Sequence, residues 1–453
     1  MKTTKRLLAA LLAALLTLSL VACNKGDTGV NIPTSQSVSD DFQKHMHQSD
    51  YYRLDRVCET ESGYYIDYSG EFYYVDKESK RITILCAKPE CEHDDWDCNA
   101  WISAGTFWSD GKRIFYTNSS LLEENGKLVD HGERIYAIDL DGTHQTVVQD
   151  LEFVPSGSST YVHPIFHRGI VYFFYSGVLY KMPLGGDLKK TAEALWGEEI
   201  ASDDRTVFDS IPVGHNFTLW ADGDYVYFMV NVEQPDGTYK DTLFAYNTAG
   251  SGAENGVKQV WQTPDADTVG PWTSTGVAVS KWYVMDGNIY FYLSGGDYWR
   301  CDLDTGEYEK LADTHEKTTY GKAIFTDDTM CLLNSVPRDM SLPGFTVVGD
   351  HYDYDHLVGG DAFYVYGLDG GFAKELPLAS LYGELSDIVN VEPVFCADGE
   401  IWFVAEQEHV TGQTGTAQGG FLPFGGVKTY DYTLCCVSIE TGEIMRVINW
   451  HRD

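Results

Sequence analysis

The sequence predicts an all-β protein, a β-propeller of seven four-stranded blades, and three observations carry that expectation. Tight-turn pairs recur along the chain at Ser62-Gly63, Asp110-Gly111, Arg168-Gly169, Asp222-Gly223, Asp286-Gly287, Asp327-Asp328 and Asp398-Gly399. Each is followed by a run rich in β-branched and aromatic residues, such as YYID, RIFYTN, IVYFFYS, YVYFMVN, IYFYLS, MCLLNS and IWFVAE, the residue types that suit strands. A further strand then ends in a second turn, as in IYAIDLDG, LYKMPLGG, YWRCDLDTG, FYVYGLDGG and LCCVSIETG. Four antiparallel strands repeated every ~40 to 70 residues are a propeller blade, because each small sheet buries its faces only against its neighbours.

The elements follow in order from the N-terminus. Met1 to Arg6 holds three positive charges and is followed by the apolar run LLAALLAALLTLSLVA, which ends at Cys23. That run is too short for an ordinary membrane span and reads as a secretory signal over residues 1–22. Leu20, Val21 and Ala22 before Cys23 form a lipobox, so Cys23 is the expected lipid-attachment residue and the lipid the expected membrane anchor. Residues 23–48 are polar and read as a flexible tether, and residues 49–453 as the propeller domain.

Loss of Lys2, Lys5 and Arg6 with the signal takes the formal charge from −36 to −39. A chain so acidic repels nucleic acid and anionic lipid surfaces. The expected location is the extracytoplasmic face of the cell membrane.

With the strands of a blade counted from the axis outward, the first-to-second and third-to-fourth connections share one face. These are tight, as at Asp141-Gly142, Thr305-Gly306, Asp369-Gly370 and Thr441-Gly442. The second-to-third connections and the crossovers to the next blade share the other. The long segments, read as irregular loops at residues 86–105, 118–133, 197–216, 232–241, 335–361 and 406–429, all fall there. Binding residues collect on variable loops held by a rigid scaffold, which makes this the expected ligand face, with Trp96, Trp101, Tyr352, Tyr354 and Phe421 as its free aromatic candidates.

Cys301, Cys331, Cys396, Cys435 and Cys436 occupy repeat positions that other blades fill with large apolar residues, and read as core. Cys86, Cys91, His93 and Cys98 lie together in a connection where no strand alternation accounts for them. Three readings stay open: a structural zinc site, a disulfide-stapled loop with Cys58 as a further partner, or free thiols. The acidic segment GDHYDYDHLVGGD, with His351, Asp353, Asp355, His356 and Asp361, lacks the glycine and terminal glutamate of an EF-hand and reads as a solvated loop.

The lipobox and the segment LCAKPECEHDDWDCNAW at residues 85–101 make the chain resemble poorly characterised β-propeller lipoproteins of Gram-positive, often gut-dwelling, bacteria, in which a similar cysteine-histidine segment follows the first blade. The likeness covers nearly the full chain; it implies fold and location, and no established activity. The residues themselves favour a non-catalytic binding or scaffolding protein for a polysaccharide, peptide or protein partner. The alternative is an extracytoplasmic polysaccharide hydrolase or lyase, which would need paired carboxylates near the axis, and the innermost strands supply Glu392 alone. A purely structural envelope protein is the third reading.

Overall fold

A computed structural model describes residues 32–35, 57–68, 71–88, 91, 93, 98–102, 104–124, 127–151, 161–175, 177–186, 188–197, 218–236, 239–250, 256–263, 279–293, 297–314, 320–326, 328–337, 357–358, 362–385, 388–411 and 427–452. The chain is all-β, with seven four-stranded antiparallel sheets that form the blades of a seven-bladed β-propeller.

Sheet 1 runs Val57–Glu59, Gly63–Tyr68, Glu71–Asp76 and Ile82–Ile84. Sheet 2 runs Ala104–Ser109, Arg113–Glu124, Lys127–Asp139 and Thr146–Leu151. Sheet 3 comprises Tyr161–His167, Ile170–Tyr175, Val178–Pro183 and Glu193–Trp196, and sheet 4 Thr218–Asp222, Tyr225–Glu233, Tyr239–Asn247 and Val257–Gln262. Sheet 5 follows with Val279–Met285, Asn288–Leu293, Asp297–Asp302 and Tyr308–Asp313. Sheet 6 has Tyr320–Phe325, Thr329–Pro337, Ala362–Gly367 and Phe372–Pro377, with the short Leu357–Val358 added on Thr329–Pro337. Sheet 7 is Ile388–Ala397, Glu400–Thr411, Val427–Ser438 and Ile444–Arg452. Among the described residues no helix is long and apolar enough to cross a membrane.

The turn chemistry explains why each sheet folds on itself. In the hairpins closed by Arg168-Gly169, Asp286-Gly287 and Asp398-Gly399 both central residues have φ between 49° and 77°. That is the two-residue turn whose twist matches the flanking strands. The turn expected at Asp222-Gly223 lies one residue later, because Asp222 pairs with Tyr225 and leaves Gly223-Asp224 as the loop.

Two compact units divide the chain, one over Arg56–Ser158 and Pro183–Ala192, the other over Ser159–Met182 and Glu193–Asp453. In the second unit the second strands of the sheets are buried on both faces. On the second strand of sheet 4, Val226, Phe228 and Val230 pack with Tyr172 and Phe174 of sheet 3. The alternating Tyr227 and Met229 join Tyr283, Phe291 and Tyr298 of sheet 5 in a separate cluster. Burial on both faces is why YVYFMV reads as one apolar run and not as an alternation. Cys301, Cys331, Cys396, Cys435 and Cys436 are all 3% exposed or less, as core residues should be.

The sheets meet through a recurrent joint, in which the third-to-fourth turn of one sheet lies against the fourth strand of the sheet before it. A methyl added at Gly370 of sheet 6 would stand 2.2 Å from the Leu311 carbonyl oxygen of sheet 5. Lys374 of sheet 6 reaches the Glu440 carbonyl in the corresponding turn of sheet 7. In the first unit Gly142 of sheet 2 takes the same place beside Leu85, immediately after the fourth strand of sheet 1. There the two sheets also share a ring stack, Phe72 on Phe107 with centroids 4.7 Å apart and planes 9° from parallel.

Two segments expected as irregular loops, 118–133 and 232–241, are regular hairpins over their described residues, and the described ends of two more, 335–361 and 406–429, are paired strands. Residues 118–133 continue the second and third strands of sheet 2 through Leu121–Asp130, Leu122–Val129 and Glu124–Lys127. Residues 232–241 pair through Val232–Lys240 and Glu233–Tyr239, and 406–429 through Glu406–Tyr432 down to Thr411–Val427. In 335–361, Val336 pairs with Val358. Many residues of these segments are polar, so backbone pairing continues where the apolar pattern of the sequence has ended. Residues 198–216 and the acidic cluster at 351–356 lie outside the described residues, as do the expected signal peptide, Cys23 and most of the expected tether.

Candidate metal centre

Cys86, Cys91, His93 and Cys98 converge: one donor atom from each lies within 4.8 Å of the others. No other group of three or more His, Cys, Asp or Glu residues among those described is arranged to hold a metal ion. The convergence begins where the fourth strand of sheet 1 stops. Leu85 N donates to the Phe72 carbonyl at 2.8 Å, and Cys86 N to the Ile84 carbonyl at 3.0 Å, so the chain leaves the sheet in a tight bend. It returns on the same strand, with Phe72 N donating to the Ala100 carbonyl at 2.8 Å and Glu71 bridging antiparallel to Trp101. Residues 86–98 are therefore a loop whose two ends are pinned on one residue, Phe72.

Inside that loop the backbone is aimed at sulfur. Ala100 N donates to Cys98 Sγ at 3.3 Å. Burial alone would raise the Cys86 thiol, but hydrogen bonds from the Lys88 and Asn99 backbone, with Cys98 and Cys91 beside it, hold it below its ordinary range. Burial pushes the Cys98 thiol up to about 12, against the opposing hydrogen bond from Ala100. His93 has a φ of 65°, a conformation that costs a non-glycine residue ~1–2 kcal/mol, and it places Nδ1 3.3 Å from Cys98 Sγ. For a tetrahedral zinc with Zn–S near ~2.3 Å and Zn–N near ~2.0 Å, sulfur and nitrogen ligands stand ~3.5 Å apart. The donors are thus close to coordination distance of one another, and three thiols with one imidazole are a soft set of the Cys₃His type. Cys86 and Cys98 are 7% and 4% exposed, while Cys91 and His93 are half-buried.

All three thiols of the cluster are unbonded, and Cys58 is not one of the converging donors. It is a free thiol on the first strand of sheet 1, paired with Tyr65 and fully buried. Its side-chain direction is set by strand alternation, not by the loop.

Three residues that the sequence did not connect with the cluster, Asn99, Gln145 and Gly142, tie it to sheet 2. Asn99 Nδ2 donates to the Gly142 carbonyl at 3.1 Å, and Gln145 Nε2 to the Asn99 carbonyl at 3.5 Å. Gly142 has a φ of +82°, and a methyl there would stand 2.9 Å from the Leu85 carbonyl carbon and 3.1 Å from Cys86 N. The Asp141-Gly142 pair marked a turn in the sequence, but nothing local to it announced a neighbour from another sheet.

Of the aromatic candidates for a ligand face, Trp101 is half-buried, and its N donates to the Cys98 carbonyl at 3.1 Å. Trp96, Tyr352, Tyr354 and Phe421 lie outside the described residues. Glu392 is half-buried on the first strand of sheet 7, where it pairs with Val404.

No protein-family model matches the chain. No curated protein matches its sequence. Several solved structures are similar at low identity. An oligogalacturonate lyase in complex with manganese is 10% identical, over 60% of this chain and 71% of its own, with a TM-score of 0.37. The computationally designed Ika8 protein is 11% identical, over 82% of this chain and 96% of its own, with a TM-score of 0.38. A post-proline cleaving enzyme from Rickettsia typhi is 9% identical, over 90% of this chain and 55% of its own, with a TM-score of 0.46. None of these likenesses transfers an activity to this chain.

Proposed function

We propose that the protein is a lipid-anchored, extracytoplasmic binding or scaffolding propeller, held to the membrane through Cys23, that presents the ends of its middle hairpins to a polysaccharide, peptide or protein partner. The observation that carries this reading is the uneven length of those hairpins. In sheet 2 the second and third strands have 12 and 13 residues beside flanking strands of 6. Sheets 4 and 7 repeat the feature, with middle strands of 9 and 9 against 5 and 6, and of 12 and 12 against 10 and 9. Sheets 1, 3 and 5 keep middle strands of 6. Strand beyond the buried width of a sheet adds nothing to its core, and surface offered at one end of several sheets suits recognition. The Cys₃His cluster is proposed to hold a structural zinc ion.

Cross-linking of the full-length protein on intact cells tests the binding role, comparing the natural chain with variants whose hairpins are shortened by excision of residues 121–130 or 408–430. Capture of a partner should be lost in these variants and kept when Thr305-Gly306, at the opposite end of sheet 5, is altered. Capture that persists after both excisions would overturn the proposal. For zinc, elemental analysis of protein purified under reducing conditions should find close to one equivalent, which His93→Ala should lose.

A further inference from the structure

We infer that the metal at Cys86, Cys91, His93 and Cys98 is a clasp that holds the short first sheet against the second, a role that rests on the zinc reading above and specifies what the ion does. The fourth strand of sheet 1 has 3 residues, Ile82–Ile84, and stops before Leu85. In the other sheets the fourth strands have 4 or more. A three-residue edge supplies few ladder hydrogen bonds and little apolar surface, and is the part of a sheet expected to open first.

The cluster stands where that deficit falls. In the joint between sheets 5 and 6, Leu311 lies within a six-residue fourth strand and meets Gly370 directly. In the joint between sheets 6 and 7, Leu376 does the same within Phe372–Pro377, 3.8 Å from the Cβ position at Gly442. At the joint between sheets 1 and 2, Leu85 already lies beyond the strand, and the next residue is Cys86. From there the four donors gather the chain and return it as Asn99, which donates to the Gly142 carbonyl of sheet 2, and as Ala100, which accepts from Phe72 N of sheet 1. One ion bound to residues 86, 91, 93 and 98 thus fixes the two ends of a loop that touches both sheets. It replaces the strand length that other joints have.

The donor set also says what the ion does not do. Four protein ligands fill a tetrahedral shell and leave no position for water or substrate, the arrangement of a structural site. The half-buried face formed by Cys91 and His93 is where the ion would enter.

Hydrogen exchange read by mass spectrometry on the full-length protein provides the test, with zinc alone as the probe. Samples are the zinc-loaded protein, the same protein stripped by chelator under reducing conditions, Cys91→Ser, and Cys91→His, which keeps four soft donors. Stripping and Cys91→Ser should each speed exchange at least about tenfold in residues 57–59, 71–76 and 82–84, and in the turn around Gly142, while residues 288–302 of sheet 5 stay unchanged. Cys91→His should keep both the ion and the protection. One equivalent of zinc bound with unchanged protection in sheet 1 would overturn the clasp and leave the zinc site standing. No zinc bound by the reduced protein, or a Cys–Cys cross-link within residues 86–98 in the protein as isolated, would overturn both. Equal acceleration in sheets 1 and 5 would also reject the clasp, because the ion would then support the whole domain and not one joint.

Discussion

Two glycines at the same turn position of neighbouring sheets separate backbone strain from contact. Gly306 of sheet 5 and Gly370 of sheet 6 have φ of +71° and +82°, so a side chain at either meets the left-handed penalty of ~1–2 kcal/mol. Nothing lies within 4 Å of the Cβ position at Gly306, whereas at Gly370 the Leu311 carbonyl oxygen and carbon stand at 2.2 and 2.6 Å. Gly306→Ala should therefore lower unfolding free energy by no more than the backbone cost. Gly370→Ala should lose a further ~1–3 kcal/mol, as overpacking does. Denaturant titration of the two variants distinguishes these outcomes, and equal losses would contradict the inter-sheet joint. The core cysteines give a second residue-level expectation. Burial raises Cys301 to about 11 and Cys435 to about 12, and holds Cys58 well above its usual value. Their thiolate fractions at pH 8 are small and their sulfurs shielded, so alkylation of the native protein should leave all three unmodified until denaturant is added. Peptide mass mapping reads this directly.

At the scale of the element, the excised hairpin of sheet 2 carries the argument. Leu121 to Asp130 pair with one another past the ends of Ala104–Ser109 and Thr146–Leu151, so removing residues 121–130 should change the melting temperature by no more than a few degrees. Phe72→Ala, by contrast, removes a fully buried ring that stacks on Phe107 and should cost ~3–5 kcal/mol. The sequence made these elements legible to different degrees. Strands such as IVYFFY and LCCVS were readable because apolar and aromatic residues end at a glycine turn, and burial demands both. The hairpin extension was not, since SSLLEENGKLVDHGE mixes polar and apolar residues without alternation. The Asn-Gly pair between Glu124 and Lys127 was its one local hairpin signal. The Cys₃His donors were visible as a cluster, because their spacing serves no strand. Their docking on Gly142 was invisible, because it pairs residues more than 40 positions apart through a carbonyl that any residue could supply. For the same reason Asn99, which lies between Cys98 and Ala100, gave no signal of its role.

At the scale of the molecule, charge and anchor make separable contributions to membrane attachment. With a formal charge of −36 over the full chain, and −39 once the proposed signal is removed, the protein is repelled by an anionic membrane surface. Repulsion between exposed charges fades over ~8 Å at physiological ionic strength, so salt cannot detach a chain whose only attraction is hydrophobic. The proposed lipid on Cys23 supplies that attraction at ~0.8 kcal/mol per buried methylene, and stable anchoring needs more than one acyl chain. Washing membranes with 1 M salt or with alkaline carbonate should therefore leave the protein in the membrane fraction, and non-ionic detergent should release it. Cys23→Ala should either appear in the soluble extracytoplasmic fraction or remain unprocessed at the mass of the full chain, and in both cases should incorporate no radiolabelled palmitate. A peripheral protein held by charge would behave in the opposite way, leaving the membrane in high salt whether or not Cys23 is present. Lipid labelling that survives the substitution would remove the lipoprotein assignment and, with it, the location on which the proposed binding role depends.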